Sequence, residues 1–266
     1  MDPIHSLFDR LWTDYSTRNP IANQIHALLE ARGESVVNDH VAFRTFNTPS
    51  IGLAKLAQPF LNLGYEEKDP YHFPEKKLFA RHYDHPSGAY PKVFISELLV
   101  EEFSADFQKV IELLVKQVPP SVVKSADFPI AGIPWKMIDS DTYEFLRKES
   151  EYAAWMAVNG FRANHFTVSV NRLKTFSSLE QLNTFLKENG FRLNAEGGEI
   201  KGSPAQLLEQ SSTMANRIDI ELADGVHTLP GCYYEFALRH KGPDGKLYPG
   251  FIAASADKIF ESTDRK

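Results

Sequence analysis

His40-Val41-Ala42-Phe43-Arg44-Thr45-Phe46 reads as a strand. Val41, Phe43 and Phe46 supply its apolar positions, and His40 and Arg44 share the face opposite Val41 and Phe43, since successive strand side chains point to opposite sides. Asn164-His165-Phe166-Thr167-Val168-Ser169-Val170 repeats the device, with His165 leading as His40 does. Here His165, Thr167 and Ser169 oppose Phe166, Val168 and Val170. After each strand comes a stretch of helical periodicity that closes on glycine and an aromatic residue. Ile51 to Leu63 closes at Gly64 in LGY, and Leu179 to Asn189 at Gly190 in NGF; glycine is the common residue just past a helix end.

Further strands are expected over Lys77 to His82 and Pro91 to Val100 in the first unit, and over Arg217 to Leu222 and Gly231 to His240 in the second. Each series ends in a carboxylate, Glu97 and Glu235 respectively. Two similar βαβββ modules, residues 38–100 and 163–240, account for the pattern better than one irregular fold. The expectation is an α+β protein, a single catalytic domain over residues 1–266, whose modules form a cup with added N-terminal and central helices. Leu7, Leu11 and Tyr15, then Ile21, Ile25, Leu28 and Leu29, recur at helical spacing with Asn19-Pro20 between them. The insertion at 101–160 has a helical stretch from Phe103 to Val118, stopped by Pro119-Pro120, and another from Asp141 to Val158; it could serve as linker or lid.

The bulk properties exclude several classes. With 266 residues, 42% hydrophobic and 24% charged, the chain can bury a sizeable core. Its charge of −6 is spread along the sequence and offers no basic patch for nucleic acid. The sole cysteine, Cys232, rules out an internal disulfide and suits a reducing compartment. MDPIHSLFDRLW lacks the basic start and apolar run of a signal peptide, and no apolar stretch reaches the roughly 18 residues of a membrane span. A soluble cytoplasmic protein without nucleic-acid or membrane partners is expected. Oligomeric state has no signal in the sequence.

The strand faces carry the chemistry. Tyr233, Glu235, Ala237 and Arg239 oppose Tyr234, Phe236 and Leu238 on the last strand. Strands curved into a cup would bring His40, His165 and Glu235 together, the ligand set of a facial triad that leaves open positions on a metal such as Fe(II). One strand histidine is ordinarily a surface or hydrogen-bonded core residue; two at matching repeat positions are not so readily dismissed. A carboxylate flanked by tyrosines and phenylalanine needs a partner, either Arg239 or a metal. Arg44 could clasp a substrate carboxylate bidentately or form a structural ion pair. His82 could face the cavity, whereas loop or surface positions suit His72 and His85. Cys232 reads as a small buried apolar residue.

HVAFRTF (40–46), KLFARHY (77–83) through PKVFISEL (91–98), NHFTVSVN (164–171) and PGCYYEFALRH (230–240) together resemble the 2-oxoadipate dioxygenase/decarboxylase family. The resemblance implies a central fold similar to the vicinal oxygen chelate superfamily, with His40, His165 and Glu235 as metal ligands and Arg44 binding substrate. It implies Fe(II)-dependent oxidative decarboxylation of 2-oxoadipate with O2, giving 2-hydroxyglutarate and CO2 in lysine catabolism. The chain is shorter than the bacterial members, whose extra segments help build the pocket, so the triad carries over more directly than the substrate. Two rival readings stand beside it. One is a redox-neutral lyase, isomerase or hydrolase holding Zn(II), Ni(II) or Mn(II), with Glu97 as a fourth ligand. The other is a non-catalytic protein that sequesters a small ligand.

Overall fold

The computed structural model describes residues 2–253 and 255 of the chain. Helices α1 (Pro3–Arg18) and α2 (Pro20–Ala31) come first. Both begin on proline, whose fixed φ suits the first helical turn and whose missing N–H is not needed there. The first module follows as β1 (Asn38–Phe46), α3 (Leu53–Asn62), β2 (Glu66–Phe73), β3 (Leu78–Asp84) and β4 (Lys92–Leu98). The insertion holds α4 (Ala105–Val115), the single turn α5 (Pro120–Val123), α6 (Ser140–Glu149) and α7 (Glu151–Asn159). The second module starts with β5 (Ala163–Ser169), α8 (Leu179–Glu188), β6 (Lys201–Ser203) and β7 (Leu208–Ser212). A hairpin of β8 (Arg217–Leu222) and β9 (Gly225–Pro230) precedes its last strand, β10 (Glu235–Arg239).

Eight strands form one sheet in the order β2-β3-β4-β1-β5-β10-β7-β6. β1 and β5 run antiparallel at its centre, while β4 lies parallel to β1 and β10 parallel to β5. The order is thus the same read outward from the centre on either side, as two βαβββ modules require. Local detail repeats as well. Gly64 and Gly190 end α3 and α8 at φ 91° and 87°, and the next aromatic N–H in each case, Tyr65 or Phe191, bonds back to the carbonyl of Phe60 or Leu186. The β2–β3 and β6–β7 turns run through Pro74–Lys76 and Pro204–Gln206, each followed by a non-glycine residue in the left-handed region, Lys77 and Leu207.

Helices cover one face of the sheet. Phe60 of α3 packs on Phe43 with ring centroids 5.4 Å apart, and Trp12 and Tyr15 of α1 meet Phe166 at 5.2 and 5.1 Å. Phe43, Phe166 and Phe236 are fully buried there, each contributing roughly 1.5–3 kcal/mol against exposure. The opposite face carries His40, His165 and Glu235, so the alternation read from sequence separates core from site.

Several expectations change. Arg217–Leu222 is a strand, but it pairs with β9 outside the main sheet. The module's own middle strands are β6, three residues long, and β7, LEQSS; neither has an apolar alternation to announce it. β2, EEKDPYHF, is likewise polar and lies at the sheet edge, where Pro70 is tolerated. The proline pair starts α5 after α4 has already ended. The helix expected from Asp141 to Val158 divides at Ser150, whose hydroxyl caps α7. From Tyr152 to Asn159 every residue of α7 is buried, which marks a helix packed on all sides. Tyr152 anchors it, its hydroxyl donating to the Ser96 carbonyl at 2.7 Å and accepting from the Thr45 N–H at 2.9 Å.

Candidate metal centre

Both histidines lead their strands from a β-bulge. In the β1–β5 pairing His40 faces Thr167 and Ala42 faces His165, and the register slips at Asp39 and again at Asn164. A bulge re-aims the extra residue. Asp39 and Asn164 thereby reach the ring of the histidine that follows each. His40 Nδ1 donates to Asp39 Oδ1 at 2.8 Å, and His165 Nδ1 to Asn164 Oδ1 at 3.1 Å. With the proton of each neutral ring on Nδ1, each Nε2 presents a lone pair. They point to opposite oxygens of Glu235, His40 Nε2 at 3.5 Å from Oε1 and His165 Nε2 at 3.3 Å from Oε2. One ligand atom from each of the three lies within 4.8 Å of the others, and all three residues are buried. Such a group can hold a metal ion.

The electrostatics fit a cation here. Burial, reinforced by His40 and Arg44, holds the His165 pKa well below its ordinary value. Burial also raises that of Glu235, against the pull of His40 and of the Gln210 amide, which donates to Glu235 Oε1 at 2.5 Å. A dry pocket that disfavours both a protonated imidazole and a bare carboxylate is relieved by a divalent ion, which takes neutral imidazole and ionised carboxylate as ligands. Thr167 Oγ1 lies 3.0 Å from His40 Nε2, and Phe251 sets its ring edge-to-face on His40 at 4.8 Å.

Arg239 is not the partner of Glu235 that the sequence suggested. Its Nε and Nη2 bind the two oxygens of Asp39, each at 2.8 Å, and its Nη1 donates to the carbonyls of Tyr248 and Gly250 at 2.9 and 2.7 Å. Burial pushes Asp39 upward, but Arg239 and then His40 outweigh it and hold the carboxyl well below the usual range. The pair orients His40 through its outer nitrogen, as a carboxylate placed behind a metal-bound imidazole does.

Glu97 is also not at the centre. It opposes Thr45 in the β1–β4 register, while Ser96 opposes Arg44, so the pleat turns Glu97 to the helix-covered face. There its Oε2 accepts from the Leu53 N–H at 2.8 Å, at the start of α3. The position that corresponds to Glu235 is Phe94: Glu235 opposes Thr167, two residues after His165, and Phe94 opposes Ala42, two residues after His40. The apparent repeat of strand-end carboxylates is three residues out of register.

His82 opposes Phe94 and so faces the cup. Its Nδ1 accepts from the Tyr71 hydroxyl at 2.9 Å, which itself accepts from the Phe251 N–H at 3.1 Å. Burial pushes its pKa down to about 4. It lies outside the ligand group. Arg44 is buried, with its guanidinium carbon 4.9 Å from the ring centroids of Tyr152 and Trp155. It borders a cleft of about 320 Å³ that Lys76, Lys77, Arg147 and Lys148 also line. Cys232 is buried and its thiol pushed up to about 12 by burial, which suits an inert core residue. Sequence reasoning missed Asp39, Asn164, Gln210 and Phe251. The polar residue before each histidine was a usable signal; Gln210, on an unannounced strand, had none.

A family profile described as 2-oxoadipate dioxygenase/decarboxylase matches residues 9–126 and 127–246. The chloroplastic 2-oxoadipate dioxygenase/decarboxylase of Arabidopsis thaliana is 39% identical over 98% of this chain and 77% of its own. A solved hydroxyglutarate synthase of Oryza sativa in complex with 2-oxoadipate superimposes with TM-score 0.90 at 35% identity, over 97% of this chain and 91% of that one. A Shewanella frigidimarina structure described provisionally as a hydrolase gives 0.91 at 48% identity, over 96% and 99%. A Ralstonia eutropha protein assigned provisionally to the glyoxalase superfamily shares the fold, with TM-score 0.77 at 21% identity over 93% and 85%. No described helix is long and apolar enough to cross a membrane.

Proposed function

The chain belongs to the 2-oxoadipate dioxygenase/decarboxylase family, and on that premise we propose that it is an Fe(II)-dependent enzyme converting 2-oxoadipate and O2 to 2-hydroxyglutarate and CO2. The reaction balances without an external reductant: one oxygen atom enters the new carboxylate and the other the new hydroxyl. The observation that carries the reading is that Phe94 stands in the first module where Glu235 stands in the second. Three corners of the cup offer donor atoms and the fourth offers a phenyl ring, so coordination sites stay open for substrate and O2. The redox-neutral rival required Glu97 as a fourth ligand, and Glu97 instead serves α3. A sequestering protein has no use for a buried triad.

In this reading His40 Nε2, His165 Nε2 and the Glu235 carboxylate hold the ion. When bound, Fe(II) supplies the electrons that activate O2 and the positive charge that polarises the 2-oxo acid. Asp39 and Asn164 fix the tautomer in which Nδ1 carries the proton and Nε2 is turned to the ion, and Phe251 and Phe94 keep water off the open side. Arg44, buried beside α7, binds a substrate carboxylate and orients the acid. The whole chain acts as one catalytic domain in the cytoplasm, each module supplying part of the ligand set.

Oxygen uptake by anaerobically Fe(II)-loaded protein tests this, with 2-oxoadipate compared against 2-oxoglutarate and 2-oxoisocaproate. We expect one O2 consumed per CO2 released, fastest with 2-oxoadipate and abolished by chelator and by His40→Ala. Arg44→Ala should keep its metal and lose turnover. No uptake with any 2-oxo acid at confirmed iron occupancy would refute the oxygenase.

A further inference from the structure

Tyr233 precedes Glu235 by two residues and so projects to the same side of the strand. Its ring stacks on His165, centroids 4.7 Å apart and planes 25° from parallel. Its backbone is fixed from outside, the carbonyl accepting from the Tyr15 hydroxyl. The side chain is fully buried, and its hydroxyl has no hydrogen-bond partner among the described residues. A buried hydroxyl left unpaired is destabilising, and phenylalanine would give the same stack without that cost.

We propose that the Tyr233 hydroxyl donates a hydrogen bond to the bound 2-oxo acid, at the end of the acid that lies beside His165. The assignment rests on the metal-centre reading above. The phenol hydroxyl serves as a donor and moves no proton. An anionic 2-oxo acid presents carboxylate and oxo oxygens that accept such a bond, and the dry surroundings strengthen it. Because the contact lies at the end beside His165, it is shared by 2-oxo acids of any chain length. It therefore contributes affinity for the class, whereas discrimination among its members comes from the far end of the pocket.

Tyr234 provides the internal control. Its hydroxyl is also buried without a partner among the described residues, but it lies on the opposite face, its ring 5.8 Å from Trp12 and 5.5 Å from Phe236. The test uses Zn(II)-loaded protein, which binds without turning over, and measures the affinity of 2-oxoadipate, 2-oxoglutarate and 2-oxoisocaproate by calorimetry. Tyr233→Phe should weaken all three by about ten- to a hundredfold, leave Zn(II) affinity unchanged and raise the ligand-free melting midpoint by roughly 2–4 °C. Tyr234→Phe should raise the midpoint alone. Unchanged affinities in Tyr233→Phe, a loss confined to 2-oxoadipate, or a lowered midpoint would each overturn the proposal. Wild-type protein that fails to hold Zn(II) against a chelator would instead overturn the metal centre, on a separate titration.

Discussion

The two modules share a backbone and differ in what they aim inward. Gly64 and Gly190, Lys77 and Leu207, and the bulges at Asp39 and Asn164 stand at matching places, because the chain must turn or slip there whatever the chemistry. The inward positions diverge. Both modules lead with histidine, but Glu235 in the second is matched by Phe94 in the first, Ser212 by His82, and Ser169 by Arg44. Duplication supplies a symmetric frame, and the breaking of symmetry at a few inward residues opens one side of the centre to ligands. On that account, restoring symmetry one residue at a time should cost function in a graded way.

The largest effect is expected from Phe94→Glu, which gives the first module the second module's carboxylate. A fourth protein ligand should hold the metal at least as tightly while occupying a position that the reactants need. Oxygen uptake should fall by roughly a hundredfold or more, the loss seen when a group acting in the transition state is removed or displaced, with metal content retained. Without metal the added buried carboxylate should destabilise the fold by several kcal/mol. Metal analysis beside an oxygen electrode decides the matter. Wild-type turnover at full occupancy would mean that position 94 does not border the open side.

Asp39→Asn makes the support of His40 match that of His165. The amide oxygen of the variant can still accept from Nδ1, so the tautomer survives, but the charge on the hydrogen-bond acceptor is lost and Arg239 is left without its counter-ion. Metal affinity should drop about 10- to 100-fold, and the metal-free protein should lose roughly 3–5 kcal/mol, because both side chains of the pair are nearly inaccessible, 5% and 7% exposed. Chelator competition and urea unfolding measure the two losses separately. Equal metal affinity in the variant would show that the acceptor's charge has no bearing on His40, and that the asymmetry between Asp39 and Asn164 serves Arg239 and the segment it fastens.

Much of this comparison is legible in the sequence where burial forces a period. HVAFRTF and NHFTVSV announce themselves because one face must be apolar to meet Phe60, Trp12 and Tyr15 while the other carries histidine. LGY and NGF do so because a left-handed residue ends each helix. The register between strands is not written locally. Glu97 and Glu235 look equivalent by their place at strand ends, yet one residue of slip sends a side chain to the other face, and the pairing puts Phe94 opposite Ala42. The short polar strands β2, β6 and β7 gain their order from neighbours, which is why Gln210 and the position of His82 relative to Ser212 came only with the fold. Arg239 shows the same limit: parity gave its face, but not which buried carboxylate it would meet.

The smallest effect sharpens the His82–Ser212 difference and concerns pH. The folded protein holds His82 at about 4, through burial opposed by Asp84, against an ordinary value near 6.5 in the unfolded chain. Between those values the unfolded state binds the proton and the folded state does not. Stability from this residue is therefore complete above about pH 6.5 and declines as pH falls toward 4, by about 3 kcal/mol. His82→Ser removes that dependence while leaving a small cavity that lowers stability at every pH. Urea midpoints of metal-free wild type and variant should consequently lie farthest apart near pH 7 and converge toward pH 4. Parallel curves would mean that the imidazole titrates with equal ease in both states, and that the Tyr71 hydroxyl and Phe251 do not seal it from water.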